Sequence, residues 1–196
     1  MKFRTALVPI AALSLSACGL NSVPTAEENA KAKWADVQAQ YQRRADLVPN
    51  LVATVKGSAA SEGKILTDVM NARAKATSVQ VNANDLTDPA KVQQFQAAQQ
   101  QLGGSLSRLL ATTEAYPDLK SQANFTTLMS QLEGTENRIT ISIRDYNQAV
   151  QAYNTRIRTF PDAVGAKIFY GAKPLTPFQA KAGADVAPTV NFGNGN

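Results

Sequence analysis

Few residues in this chain are equipped for chemistry. Histidine is absent and Cys18 is the single cysteine. A Ser/His/Asp or Cys/His nucleophile pair therefore cannot be assembled, nor a His-ligated zinc site, nor an intrachain disulfide. What remains are carboxylates and guanidinium groups. Arg43 and Arg44 stand side by side in "YQRRADLVPNLV", within apolar spacing where charge is unusual. Glu133, Glu136 and Asp145 fall in another apolar-periodic run. A buried arginine needs an acceptor, so these five residues are read as a buried polar cluster. In it Arg44 or Arg43 pairs with Glu133, Glu136 or Asp145 across the packed elements. Such a pair can fix helix register, or bind a ligand or peptide. Glu133 and Asp145 could also serve as a carboxylate acid and base. Di-iron bundles use Glu-x-x-His twice, which this chain cannot supply. No catalytic residue, metal ligand or cofactor is therefore assigned.

Cys18 has a chemistry of its own. Lys2 and Arg4 precede an apolar stretch, Ala6 to Leu15, which ends in "LSAC". That stretch is shorter than the roughly 20 residues needed to span a bilayer and fits the core of a signal peptide. Leu15-Ser16-Ala17-Cys18 resembles the bacterial lipobox, whose cysteine thiol receives a diacylglyceryl group and becomes the new N-terminus. Two or three acyl chains, at about 0.8 kcal/mol per buried methylene, hold a protein stably on a membrane. The expected address is an exported, membrane-anchored one: the outer membrane or the outer face of the inner membrane, facing the periplasm in a Gram-negative cell.

The remaining charge argues against nucleic acid. The formal net charge is +5 with 20 basic and 15 acidic residues. Lys2 and Arg4 leave with the signal peptide, and no basic cluster interleaved with aromatics occurs.

The elements that position these groups are helical. Ala and Gln are abundant and aromatics make up 7%, a composition that suits helices. Steps of three and four run unbroken through Trp34, Val37, Tyr41, Arg44, Val48, Leu51 and Val55, and on to Val69, Ala72 and Ala76. This is a seam of period 3.5. A second seam runs Phe95, Ala98, Leu102, Ser105, Leu109. A third runs Phe125, Leu128, Leu132, Thr135, Ile139, Ser142, Tyr146, Ala149, Tyr153. Trp34, Tyr41, Tyr146 and Tyr153 are read as core. Asp88-Pro89 starts the second run, Pro117 ends it, and Pro161 closes the third.

The predicted fold is all-α: an antiparallel up-and-down bundle of three to four long helices. The first helix is kinked near Pro49, where the ring removes a donor. Gly57 and Gly63 are alternative break points. The organisation reads as a signal peptide at 1–17, a lipidated cysteine and spacer at 18–25, the bundle at 26–170, and an extended or disordered tail at 171–196. Asn137, Asn147 and Asn154 lie off the seam. With Arg138, Arg144, Arg156 and Arg158 they form a polar face, either solvated or a contact surface for a partner.

The blocks "QRRADLVPNLVATVKGSA", "YPDLKSQANF" and "LEGTENRITISIRDYNQAVQAYNTRIRTFP" resemble the LemA family, as does a tail of the form F-x-A-x-x-G-A-x-x-x-P-x-V-x-F. The resemblance runs from about Trp34 to Phe192. It implies a helical bundle at a bacterial membrane with no established enzymatic activity. LemA-like proteins usually carry an N-terminal transmembrane helix, and this chain has a lipobox in its place. The expected function is a non-catalytic scaffold or accessory subunit that binds an unidentified envelope protein. The alternatives are a structural envelope spacer and a carboxylate-only hydrolase.

Overall fold

The computed structural model describes residues 21–58 and 62–179. Cys18 and the signal peptide lie outside these residues, as does most of the tail. The described chain forms α1 (Ser22–Ser58), α2 (Gly63–Ser78), α3 (Pro89–Thr113), α4 (Pro117–Lys120), α5 (Ala123–Arg156) and α6 (Asp162–Gly165). A 3₁₀ turn (Ala83–Thr87) precedes α3, and a π turn (Ala166–Tyr170) follows α6. No strand occurs among the described residues. None of the described helices is long and apolar enough to cross a membrane.

The helix ends follow local chemistry. The Asp88 side chain accepts from the Ala90 N–H at 2.9 Å, and Pro89 takes the first helical position, where no donor is needed. α1 is already helical at Ser22, so it begins inside the stretch expected to be spacer. It then passes through Pro49 without interruption. The first run divides between Ser58 and Gly63, at the glycines rather than at the proline.

How α1 tolerates its proline is visible one helix away. Pro49 cannot donate to the carbonyl four residues back, that of Ala45, which is buried. The Arg73 Nε–H of α2 donates to that carbonyl at 2.7 Å. The vacancy created by one residue is thus filled by a side chain of the neighbouring helix, and the bond ties α2 to the middle of α1.

α1 and α5 form the long spine and run in opposite directions. Trp34 meets Tyr146 with ring centroids 5.3 Å apart, and Arg44 meets Glu136. The residue number falls by ten on one helix as it rises by ten on the other. Arg158 and Phe160 therefore lie level with the start of α1. α2 and α3 pair alongside, joined by Gln99 donating to the Ala76 carbonyl at 3.0 Å and by the Tyr116 hydroxyl on Glu62.

The core has two apolar halves. One gathers Trp34, Tyr41, Phe95, Ile139, Tyr146, Tyr153 and Phe178. The other gathers Val48, Leu51, Val55, Val69, Leu102, Leu109 and Leu132. On each long helix the boundary falls at one level: between Tyr41 and Val48, between Phe95 and Leu102, and between Leu132 and Ile139. Polar residues occupy that level.

Candidate functional site

Arg44 occupies the boundary layer. Its residue is 4% exposed. The guanidinium donates through Nη2 to the backbone carbonyl and the side-chain Oε1 of Gln99, both at 2.9 Å, and through Nη1 to Glu136 at 3.2 Å. Its carbon also sits 4.9 Å from the centre of the Tyr41 ring, a cation–π distance. Arg44 Nε makes no hydrogen bond within the described residues. The ion pair is lopsided: the Arg44 side chain is buried, while that of Glu136 is 46% exposed. Water thus shares the acid, and Gln99 holds the base.

The five expected cluster residues do not come together as a set. Arg44 and Glu136 meet. Arg43 and Glu133 point to solvent, because each lies one position off the buried stripe of its helix. Asp145 pairs instead with its neighbour Arg144, at 3.2 Å. Glu133 and Asp145 therefore do not form an acid–base pair. Gln99 was missed as the principal partner, because a glutamine among so many carries no distinguishing signal. Burial pushes the Tyr41 hydroxyl up to about 12; the adjacent Arg44 charge lowers it and Glu136 raises it.

The more informative face is that of Tyr146-Asn147 and Tyr153-Asn154, a dipeptide repeated seven residues apart on α5. These side chains grip the extended segment 171–179. Asn154 donates its amide to the Leu175 carbonyl at 2.8 Å and accepts from the Leu175 N–H at 2.8 Å. Asn147 does the same to Phe178, at 3.0 and 2.8 Å. The Tyr146 hydroxyl donates to the Thr176 carbonyl at 2.8 Å, and that of Tyr153 to the Lys173 carbonyl at 3.1 Å. The Thr176 N–H donates to the Leu86 carbonyl at 2.8 Å.

The spacing has a simple reason. Seven residues of helix rise about 10.5 Å, and three residues of extended chain cover about 10 Å. The two asparagines therefore meet residues 175 and 178 in register, with the segment running antiparallel to α5. Each asparagine amide offers a donor and an acceptor, so it pairs with backbone as a neighbouring strand would. Leu175 and Phe178 drop into the core, and the Phe178 ring lies 5.6 Å from Trp34 and 6.0 Å from Tyr146. Burial raises the Tyr146 hydroxyl well above its ordinary range and also raises that of Tyr153.

This overturns part of the expected polar face. Asn147 and Asn154 are half-buried and occupied by the chain's own tail, so they are not free for a partner. The tail at 171–179 is extended and packed. Asn137, Arg138, Arg144, Arg156 and Arg158 are exposed, with Arg156 3.9 Å from Asp162.

Where the segment reaches Phe178 and Gln179, a cleft of about 540 Å³ opens between α3 and α5. Gln96, Gln100, Gln148, Gln151 and Gln179 line it, with Tyr41, Ile143 and Phe178 supplying an apolar floor and Arg144 a charge at its wall. Gln96 is buried, and its Nε2 makes no hydrogen bond within the described residues. The exposed side-chain amides along the cleft each offer a donor and an acceptor, a set suited to a polypeptide main chain. No group of three or more His, Cys, Asp or Glu residues able to hold a metal ion occurs among the described residues.

Known proteins place the chain. The model described as "LemA family" matches residues 33–192. Magnetosome protein MamQ 2 of Paramagnetospirillum magneticum is 28% identical over 181 residues, covering 84% of this chain and 66% of its own length. Magnetosome protein MamQ of Magnetospirillum gryphiswaldense is 27% identical, with the same coverage of each chain. Protein LemA of Metamycoplasma hominis is 25% identical over 124 residues, covering 63% of this chain and 52% of its own. The chain thus spans about two thirds or less of the relatives it matches.

Proposed function

We propose a function from one premise: this chain belongs to the LemA family. It is a lipid-anchored cell-envelope protein that acts by binding, a non-catalytic scaffold or accessory subunit for a membrane-associated assembly. The anchor is the lipidated Cys18. The binding surface is the solvent-facing side of α5 with the amide-walled cleft beside Phe178. Its occupant is an extended segment of an envelope protein.

One observation carries the reading. The α5 face already holds a polypeptide main chain by side-chain amides and phenols, in the register that helix and extended chain share. The cleft prolongs that surface with further amides. The chemistry supports main-chain recognition, and the residue types available supply neither a histidine base nor a second thiol.

Two experiments test it. Cys18→Ser should move the protein out of the detergent phase or leave it unprocessed; full retention in that phase excludes the lipid anchor. Gln148→Lys with Gln151→Glu should abolish a crosslink to a partner in native membranes while leaving the fold unchanged. The structural-spacer alternative expects those substitutions, and charge swaps at Arg138, Arg144 and Arg158, to be silent.

A further inference from the structure

The end of the bundle where α1 begins carries an unusual surface. Phe160 is 86% exposed, Ile168 68%, Phe169 67% and Val164 50%, with Tyr170 beside them. Ile141 is the one other large apolar side chain so exposed among the described residues. Five of the six thus fall within eleven residues of sequence, on the link formed by α6 and the π turn. Scattered exposed apolar residues need no explanation; a contiguous group does.

The position of this group is fixed by the α1–α5 register. Trp34 is level with Tyr146 and Arg44 with Glu136, which sets Arg158 and Phe160 level with the start of α1. Tyr170 and Glu27 line one cleft, which agrees with that placement. Cys18 and Ser22 are four steps apart along the chain, a reach of at most about 14 Å. Whatever holds Cys18 therefore lies close to the exposed aromatics. The described tail leaves in the other direction, running from Lys173 beside Tyr153 toward Phe178 beside Asn147.

Charge at this end is matched to the same neighbour. Glu27 and Glu28 share Lys31 at 2.8 Å, which leaves one negative charge among the three, and Asp162 faces Arg156 at 3.9 Å. Arg158, Lys167 and Lys173 take no part in an ion pair among the described residues. Arg158 and Lys167 line a cleft of about 550 Å³ that also includes Ile157 and Ala163. Aromatic and aliphatic side chains on a segment with an excess of cations suit the boundary between acyl chains and phosphate headgroups.

We propose that the link 160–170 is a bilayer-contact surface. Phe160, Val164, Ile168 and Phe169 enter the interfacial region, and Arg158, Lys167 and Lys173 meet anionic headgroups. The bundle then stands on the membrane by its α1-start end, with the amide-walled cleft held away from it. A tether alone leaves the bundle free to tumble; a second contact fixes which face a partner meets. The proposal rests on the anchored reading only for which membrane is within reach.

The test uses the full lipidated chain. Lipidation consumes the Cys18 thiol, so an introduced cysteine is the only free one. Ile168→Cys and, as a mid-bundle control on α5, Ile141→Cys are labelled with an environment-sensitive fluorophore. Each is reconstituted on phosphatidylcholine vesicles, with and without phosphatidylglycerol, carrying nitroxide-labelled headgroups. Flotation reports the anchor separately. The expected result is a blue shift and quenching at 168, stronger with phosphatidylglycerol, and neither at 141. Flotation with both labels equally unquenched overturns the contact surface and leaves the anchor standing. Failure to float overturns the anchor; quenching at 168 on added vesicles then still upholds the contact surface, and its absence overturns that too. A second readout is Phe160→Ser with Phe169→Ser, which should leave the thermal midpoint unchanged and lose the preference for phosphatidylglycerol.

Discussion

The arrangement at Pro49 makes a sharp energetic prediction. The Ala45 carbonyl is buried and has lost its helical donor to the proline ring. Arg73 Nε replaces that donor at 2.7 Å. Arg73→Met keeps the aliphatic stem and removes the bond, leaving a buried acceptor unmet. That costs about 1–3 kcal/mol, and for a chain of this size a loss of 2 kcal/mol lowers Tm by about 4–8 °C. Pro49→Ala restores an N–H at the right place. In that background the same Arg73→Met should cost less, because the carbonyl no longer depends on arginine. The coupling expected between the two sites is about 1–2 kcal/mol. The assay is a double-mutant cycle by urea unfolding followed by helical circular dichroism, with all four proteins sharing one m-value. A coupling within the additivity limit of about 0.5 kcal/mol refutes the claim that Arg73 compensates the proline.

Three further outcomes follow from the same geometry. Arg44→Met should cost about 1–3 kcal/mol in urea unfolding, because it strands the Gln99 acceptors while Glu136 relaxes into water; Arg43→Met, on an exposed residue, should change the midpoint by less than about 0.5 kcal/mol. Asn154→Ala removes two hydrogen bonds to Leu175, worth about 2 kcal/mol together, so hydrogen exchange at the Leu175 and Phe178 amides should rise by about 30-fold while amides near Trp34 stay protected. The raised Tyr41 hydroxyl sets an alkaline limit. With the folded value at about 12 and the unfolded one near 10, its contribution is intact below about pH 10. It is lost as pH rises through about 12, up to about 2–3 kcal/mol; Tyr41→Phe should flatten that decline in urea midpoints taken from pH 9 to 12.

The apolar stripes were legible because period decides which side chains can face a core. Trp34, Tyr41, Val48, Phe95, Leu102, Ile139, Tyr146 and Tyr153 are all buried where the three-four steps put them. The same steps pass through Arg44 and not Arg43, yet spacing alone leaves both as candidates for the buried pair. The pairing of Arg44 with Gln99 was not legible, since partner choice depends on how two helices are set against each other. Pro49 lies inside α1 and the first run divides between Ser58 and Gly63, but the donor that serves the carbonyl Pro49 leaves open lies on a different helix, which one helix's sequence does not reveal. The asparagines read as a free polar face for a related reason. Tyr146-Asn147 and Tyr153-Asn154 repeat visibly, yet what they hold is a segment about 20 to 30 residues later, and periodicity within one helix is blind to it. Leu175 and Phe178 sit among Pro174, Pro177 and other turn-forming residues, so composition pointed to a loose tail where side-chain amides had made a packed one.

Binding of an extended segment of an envelope protein by the α5 face and its cleft can be read in the membrane itself. Site-specific photocrosslinking in native membranes tests it most directly. A photoreactive residue in place of Gln148, in the cleft, is compared with one in place of Lys64, which is exposed on α2. A discrete adduct is expected at 148, absent at 64, and lost in a Gln151→Glu background. No adduct at 148, or the same adducts at both positions, contradicts it.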